Sequence, residues 1–157
     1  MNLRLPVAVI MVAFALASCG ENKKTVAPAE SPLTGTWKLA YSQLIKNGDT
    51  SSTYPVPGKA QEMIKIFNGS HFAFFQHDLS KGSDTATAAF GSGAGTYTLS
   101  GDQYTEHLQY CNHRGWEDQH FSFTVTIHND TLIQRGIEKI DSLKVNHEIV
   151  EAYIRLR

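Results

Sequence analysis

Between residues 120 and 128 the chain alternates strictly between apolar and polar side chains. The apolar positions of this run are Phe121, Phe123, Val125 and Ile127. Successive side chains of a β-strand point to opposite faces, so the run predicts a strand with one buried face and one solvated face. The same one-sided alternation recurs along most of the chain after residue 34, and stretches with helical period are nearly absent. A chain built this way has to bury many strand faces in one shared interior.

Short turn signals separate the alternating runs. Asn68-Gly69 is typical of a tight two-residue hairpin, and further hairpins are predicted around Ser100–Asp102 and at Asn129-Asp130. The predicted strands are 35–44, 62–67, 71–78, 94–99, 103–110, 120–128, 131–136 and 149–156. A meander of eight antiparallel strands can close on itself and leave room for side chains or one small ligand. We therefore predict an all-β fold, an up-and-down antiparallel barrel of eight (eight to ten) strands.

Two connections and one glycine-rich segment depart from this pattern. Residues 46–60 are polar and rich in turn formers, which predicts a long lid-like loop. Residues 138–147 are expected to hold a short helical turn before the last strand. The segment "FGSGAG" at 90–95 leads into a strand and not into a helix, so we expect it to bend or bulge a barrel strand and not to bind phosphate.

The first residues have the character of an export signal. A basic start at Arg4 precedes an apolar run shorter than the roughly 20 residues that cross a bilayer. Leu16-Ala17-Ser18-Cys19 resembles the lipobox of bacterial lipoproteins, which implies that Cys19 becomes a lipidated N-terminus. An ordinary secretory signal with a chance cysteine is the alternative.

This organisation predicts a lipoprotein signal peptide at 1–18, a flexible polar tether at 19–32 and one barrel domain at 33–157. The protein would be exported and anchored by its lipid to the bacterial cell envelope. Either the inner or the outer membrane is compatible with the sequence, and so is either the periplasmic side or the cell surface.

Charge and cysteine content exclude several classes of function. The formal net charge of −1 argues against a nucleic-acid partner. The chain has two cysteines, and lipidation of Cys19 would leave Cys111 without a disulfide partner. A small buried side chain is the favoured interpretation of Cys111, and enzymatic use of Glu106 or Cys111 is the minor alternative.

The two ends of the predicted barrel resemble those of one superfamily. Gly35-x-Trp37 in "GTWKL" opens the first strand, and Arg155 in "YIRLR" lies in the last. Together with the meander of hairpins, these residues resemble the calycins, which include lipocalins and fatty-acid-binding proteins, and small exported bacterial lipocalin-like proteins. The resemblance covers residues 33–157. It implies that Gly35 lets the chain turn under the barrel and that Trp37 closes one end with Arg155 across its ring. Arg157 is the competing choice for that arginine.

The apolar face of each strand predicts what lines the interior. Glu106 is the unusual member of this face, because a buried carboxylate has to be paired, protonated or hydrated. The candidate ligand-binding residues are Tyr41, Phe74, Gln76, Tyr104, Glu106, Tyr153 and Arg155. In a second interpretation Glu106 pairs with an arginine or with tyrosine hydroxyls and only completes a packed core. A shift of one residue in register would place His107 inside instead.

Seven histidines are scattered along the chain without metal-site spacing. A strand pairing that brought His71 and His77 close to His107 would favour zinc, but we expect no metal and no cofactor.

These observations favour a membrane-anchored, lipocalin-like barrel that binds or carries a small, mostly apolar ligand in the cell envelope. We expect the barrel to be a monomer and not an enzyme. The alternative function is a protein-interaction module without an internal ligand. In that alternative the loops at 45–60 and 111–119, with Trp116 exposed, meet a protein partner.

Overall fold

A computed structural model describes residues 30–157, and in this part of the chain the strands form one antiparallel sheet. The sheet closes because β1 pairs with β9. The strands are β1 (Gly35–Lys46), β2 (Asp49–Tyr54), β3 (Gln61–Phe67), β4 (His71–Asp78), β5 (Phe90–Ser100), β6 (Gln103–Cys111), β7 (Gln119–His128), β8 (Thr131–Ile140) and β9 (Val145–Leu156). Eight of them form the closed barrel, and β2 is an additional strand. The predicted all-β, up-and-down barrel is confirmed.

The predicted loop at 46–60 is wrong, because β2 occupies its centre and pairs with the second half of β1. Asn47 and Gly48 have φ of 54° and 89° and form the two-residue turn between the strands. Asn-Gly favours this turn because both residues tolerate positive φ. β1 pairs with β3 only as far as Lys38, so β2 takes the edge of β1 that β3 leaves free.

A bulge in β1 changes which residues of this strand face inward. Leu39 pairs with Tyr153 and Tyr41 pairs with Ala152, so Ala40 is an extra residue. The bulge leaves Tyr41 38% exposed, and Ser42 takes the next buried position. The prediction that Tyr41 lines the interior is therefore wrong, since one extra residue moves every later side chain to the other face.

The turn between β3 and β4, predicted at Asn68-Gly69, is shifted by one residue. The Asn68 N–H donates to the His71 carbonyl, so Gly69 and Ser70 are the central residues. Only Gly69 has positive φ, and Asn68 Oδ1 accepts hydrogen bonds from the N–H groups of Ser70 and His71. The turn therefore uses Asn68 as a cap and not as a turn residue. The expected irregularity of "FGSGAG" is present as a break in the register of β5 between Ala94 and Gly95.

Trp37 and Arg155 meet at one end of the barrel. The Trp37 ring is fully buried, and the Arg155 guanidinium lies 4.0 Å from its centroid. The indole N–H donates to the Leu33 carbonyl at 2.7 Å, and the guanidinium donates to the carbonyls of Thr34 and Pro32 at 2.7 and 2.9 Å. The contact between cation and aromatic face adds about 0.5 to 2 kcal/mol in comparable sites. We call this the closed end.

Gly35 stands directly beside this contact. Its φ is 128°, and a Cβ at this position would lie 3.0 Å from Arg155 Nη1. A residue without a side chain therefore allows both the turn of the chain and the approach of the guanidinium.

Two short 3₁₀ helices cover the opposite end, which we call the mouth. They span Arg114–Trp116, between β6 and β7, and Asp141–Leu143, between β8 and β9. They lie close together, because a Cβ at Gly115 would be 3.0 Å from the Leu143 side chain. The second helix lies within the predicted 138–147 connection, which is shorter than expected because β8 and β9 extend into it.

The signal peptide, the lipidation residue Cys19 and the tether up to residue 29 lie outside the described residues. Within residues 30–157, no helix has the length and apolar character needed to cross a bilayer.

Candidate ligand-binding cavity

The barrel contains an internal cavity of about 210 Å³ that reaches the mouth. Its walls combine apolar side chains with several ionisable ones. It is lined by Met63, Lys65, Phe74, Glu106, Leu108, Cys111, His113, Trp116, Phe121, Gln134, Glu138, Ile149, Glu151 and Tyr153. Larger depressions, such as one of about 470 Å³ between Ile66 and Tyr110, lie on the outer face of the sheet and are open to solvent. The internal cavity is therefore the better candidate for binding a small molecule, since such sites are concave and mostly apolar with a few polar groups.

A buried ion pair stands at one side of the cavity. Lys65 Nζ lies 2.9 Å from Glu106 Oε2 and 3.2 Å from Gln134 Oε1. The Tyr104 hydroxyl donates to the same Glu106 oxygen at 2.7 Å. All four residues are buried, at most 7% exposed, so the ammonium and the carboxylate neutralise each other in place of water. Burial and the Glu106 charge together raise the pKa of Tyr104, which keeps this hydroxyl protonated as a donor.

Lys65 also lies over three aromatic rings. Its ammonium is 5.5 Å from the centroid of Phe67, 5.0 Å from that of Phe72 and 5.1 Å from that of Tyr104. These faces are electron-rich and attract the cation. The Lys65 ammonium is therefore surrounded by groups of the protein itself, namely the Glu106 carboxylate, the Gln134 amide and the three aromatic faces.

A second carboxylate, Glu151, faces the cavity from β9. Its Oε2 accepts a hydrogen bond from the Tyr153 hydroxyl at 2.7 Å and a long one from Gln134 Nε2 at 3.5 Å. Burial raises the pKa of Glu151, while Lys65 and the Tyr153 hydrogen bond act in the opposite direction. Gln134 thus connects this carboxylate to the Lys65–Glu106 pair.

A third carboxylate, Glu138, lies opposite His147 on the neighbouring strand. His147 Nε2 is 2.9 Å from Glu138 Oε2. Burial, together with the charges of Glu151 and Glu106, raises the pKa of Glu138 to about 8, although Lys65 lowers it. Burial, with a smaller contribution from Lys46, lowers the pKa of His147. At neutral pH the two groups therefore form a neutral pair in which the carboxyl O–H donates to the imidazole.

Three of the seven candidate ligand-binding residues line the cavity, namely Phe74, Glu106 and Tyr153. Tyr104 is fully buried behind Glu106. Gln76 does not line the cavity, because its amide donates to Gln61 Oε1 at 3.1 Å. Arg155 was predicted to contact the ligand as well as Trp37, but its guanidinium is held by backbone carbonyls at the closed end.

The cavity residues that were missed in the sequence include three with charged side chains, namely Lys65, Glu138 and Glu151. Lys65 lies in β3, where Ile64 and Ile66 make the other face apolar too, so alternation does not show which side is buried. Glu151 precedes Tyr153 by two residues, and side chains two residues apart in a strand point to the same face. The predicted inward position of Tyr153 therefore indicated that Glu151 also faces inward. Glu138 lies on the same face as Gln134, but in the segment predicted to be a loop.

The choice between Glu106 and His107 is resolved in favour of Glu106. His107 points outward, where its ring stacks on His120 with centroids 4.0 Å apart and its Nε2 lies 2.6 Å from Asp118 Oδ1. The histidines that would favour zinc are kept apart by the strand order. On the paired strands Thr96 separates His71 from His107, so these two histidines do not meet.

In the part of the chain that the structure describes, no group of three histidine, cysteine or acidic side chains is arranged to hold a metal ion.

Cys111 and Trp116 form part of the apolar wall near the mouth. Burial raises the pKa of the Cys111 thiol, which disfavours the thiolate that nucleophilic chemistry requires. Trp116 was expected to be exposed, but it is half-buried and packs on Phe121 with ring centroids 5.9 Å apart. The cavity offers apolar walls for a hydrophobic body and charged groups for a polar end.

Comparisons with known proteins find distant structural similarity. No protein-family model matches the chain, and no curated protein does. Among solved structures, a lipocalin-like protein from Bacteroides uniformis is 14% identical with a TM-score of 0.48, and it covers 79% of this chain and 98% of its own. An uncharacterized protein from Bacteroides eggerthii is 12% identical with a TM-score of 0.47, covering 79% of this chain and 99% of its own.

Proposed function

We propose that this lipocalin-like barrel binds one small amphipathic molecule in its internal cavity, as a monomer held to the cell envelope by a lipid on Cys19. The observation that carries the proposal is the cavity of about 210 Å³, in which aromatic and aliphatic walls meet buried ionisable groups. Typical sites for drug-sized ligands occupy about 300 to 1,000 Å³. The ligand is accordingly small, and a long acyl chain does not fit within this volume.

The mouth supports the same proposal. Trp116 lies between the cavity and the surface, and the 3₁₀ helix that carries it touches Leu143 of the opposite connection. Small movements of these two short helices would open the cavity without disturbing the strand pairing. The half-buried position of Trp116 gives less support to the alternative in which this residue is an exposed anchor for a protein partner.

A cavity-filling substitution tests whether the interior binds the ligand. Ile149 lines the cavity, whereas Ile137 is 59% exposed on the outside of the barrel. We expect Ile149→Trp to abolish the small-molecule mass that native mass spectrometry detects on the full-length protein purified from its host, and Ile137→Trp to retain it. Thermal unfolding of both variants controls for folding. An unchanged bound mass in Ile149→Trp would contradict binding in the cavity.

The two cysteines provide a matched test of the anchor. We expect Cys19→Ser to move the protein from the membrane fraction to the soluble fraction, because one lipidated residue supplies the attachment. Cys111→Ser is expected to stay in the membrane fraction. A Cys19→Ser protein that remains membrane-bound would rule out this mode of anchoring.

A further inference from the structure

The cavity lining has more acidic side chains than basic ones. Its lining contains three carboxyl groups, those of Glu106, Glu138 and Glu151, against the single ammonium of Lys65. His113 lines the mouth, where it is exposed. A closed structural core would gain stability by replacing such groups with apolar ones. The excess of acid therefore suggests that the missing positive charge comes with the ligand.

The single ammonium is not available to an anionic ligand. Lys65 already contacts Glu106 Oε2 and Gln134 Oε1, and its remaining surroundings are aromatic faces. A ligand carboxylate would meet no other lysine or arginine among the cavity-lining residues of the described chain. It would also meet the charge of Glu151 in a medium where repulsion is poorly screened.

All three carboxyl groups keep one oxygen that takes part in no hydrogen bond within residues 30–157, so each is placed to receive a cation. The hydrogen bonds of Glu151 use Oε2, and those of Glu106 also use Oε2, so each residue keeps its Oε1 free of hydrogen bonds within residues 30–157. Glu138 uses Oε2 toward His147. These carboxyl groups are brought together by β6, β8 and β9, which are not all neighbours in the sheet. They converge on the cavity because all three strands direct these residues inward.

The apolar part of the cavity suits the other half of such a ligand. Phe121 and Trp116 form a continuous aromatic wall, and Phe74 lies across from them on β4. Aromatic faces attract cations as well as apolar groups. The site thus combines acidic and aromatic side chains in a small volume.

We infer that the ligand of the proposed binding function is a small aromatic or aliphatic amine, with its protonated nitrogen at Glu138 and Glu151 and its apolar body against Phe121 and Trp116. This inference rests on the proposed function. A bound ammonium supplies the counter-charge that the three carboxyl groups lack, so it favours ionisation of Glu138. Binding is therefore accompanied by release of a proton from Glu138 at about pH 7.

The pH dependence follows from the groups around Glu138. Glu151 on β9 and Glu106 on β6 favour its protonated form, Lys65 on β3 favours its ionised form, and His147 shares its proton. Affinity for an amine rises as the pH increases from about 6 to about 8, because the proton on Glu138 then competes less with the ligand.

Three probes of similar size and different charge test the inference. They are 2-phenylethylamine, 2-phenylethanol and phenylacetate, titrated by calorimetry into the full-length protein at about pH 7 in two buffers of different ionisation enthalpy. We expect the amine to bind at least about tenfold more tightly than the alcohol, and the alcohol more tightly than the carboxylate. The enthalpy of amine binding should differ between the buffers in the direction of proton release.

Two variants on the same strand assign the effect to the cavity. Glu151 lines the cavity, whereas Glu148 pairs with Arg135 outside it. We expect Glu151→Gln to weaken the amine about tenfold without changing the alcohol, and Glu148→Gln to change neither. Binding of the alcohol or the carboxylate as tightly as the amine would overturn the inference and leave the proposed function standing. No binding of any of the three probes would overturn the proposed function as well.

Discussion

The closed end and the cavity each hold buried or half-buried charge, but they compensate it differently. At the closed end Arg155 stacks on Trp37 and donates to two backbone carbonyls, and within residues 30–157 no carboxylate contacts it. In the cavity Lys65 meets a carboxylate, and two further carboxyl groups stand nearby. The charge of the closed end is thus held by backbone carbonyls and an aromatic face, whereas the cavity lining contains more carboxyl groups than ammonium groups.

This difference separates structure from function. A cation held by backbone carbonyls and an indole ring strengthens the fold, and Arg155 does not line the cavity. An excess of buried carboxyl groups costs stability, and proteins retain such groups where they bind or react. The residues by which the chain resembles calycins therefore lie at the end opposite the proposed ligand site.

Removal of the Trp37 ring is expected to have one of the largest effects on stability. Trp37→Ala deletes a fully buried side chain and should lower the free energy of unfolding by about 3 to 5 kcal/mol in urea denaturation. Trp116→Ala, at the half-buried mouth, is the control and should cost less. If Trp37→Ala kept the parent stability and lost ligand binding, the two ends would have been assigned the wrong way round.

Breaking the buried ion pair should cost a similar amount. Lys65→Met leaves Glu106 without its counter-ion and is expected to lower the free energy of unfolding by about 3 to 5 kcal/mol. Lys38→Met breaks the exposed pair with Glu62 and should cost at most about 1 kcal/mol. The double variant Lys65→Met/Glu106→Gln should recover most of the loss. A double variant no more stable than Lys65→Met would show that the unpaired carboxylate is not the cause.

Glu138 should make stability fall as the pH rises. Its pKa increases from an ordinary 4.5 to about 8 on folding, so the folded state binds the proton more tightly than the unfolded state. The stabilisation is fully present below about pH 4.5, falls as the pH rises and is lost above about pH 8, with a span on the order of 5 kcal/mol. His147 acts in the opposite direction, because its lowered pKa favours the folded state as the pH rises.

Glu138→Gln isolates this contribution, because the amide can still donate to His147 and does not titrate. The parent should lose stability relative to this variant between about pH 5 and pH 8 in urea titrations. Parallel stability curves for the two proteins would mean that Glu138 has an ordinary pKa in the folded state.

The smallest expected effect concerns Gly35. Gly35→Ala forces a side chain into a positive φ and toward Arg155, and should cost about 1 to 3 kcal/mol. Gly48 has φ of 89° with no atom near its Cβ position, so Gly48→Ala measures the backbone strain alone. Equal losses in the two variants would show that the contact with Arg155 contributes nothing.

The barrel was predictable because its pattern is repeated in every strand. Phe121 and Phe123 show the inward face of β7 without reference to the rest of the chain, and the hairpin signals order the strands. The position of Tyr41 was not predictable, since the bulge at Ala40 is set by pairing with β9 and has no local signal. β2 was missed although Asn47-Gly48 marks its turn, because the polar residues around it indicated a loop.

The cavity was only partly predictable. Glu106 is visible as a carboxylate on an apolar face, but its partner Lys65 is 41 residues away, and only the closure of the barrel brings them together. Glu138 depends on the length of β8, and strand ends are poorly marked in a sequence when polar residues continue the alternation. The sequence thus predicted the strands of the barrel better than the side chains that line its cavity.

The two tryptophans of the chain allow one direct test, because Trp37 lies at the closed end and Trp116 at the cavity mouth. Full-length protein labelled with 5-fluorotryptophan should show two ¹⁹F resonances, assigned through Trp37→Phe and Trp116→Phe. Addition of 2-phenylethylamine is expected to shift the Trp116 resonance and leave the Trp37 resonance in place. A shift of Trp37 with Trp116 unchanged, or no shift of either, would contradict a cavity that binds its ligand at the mouth.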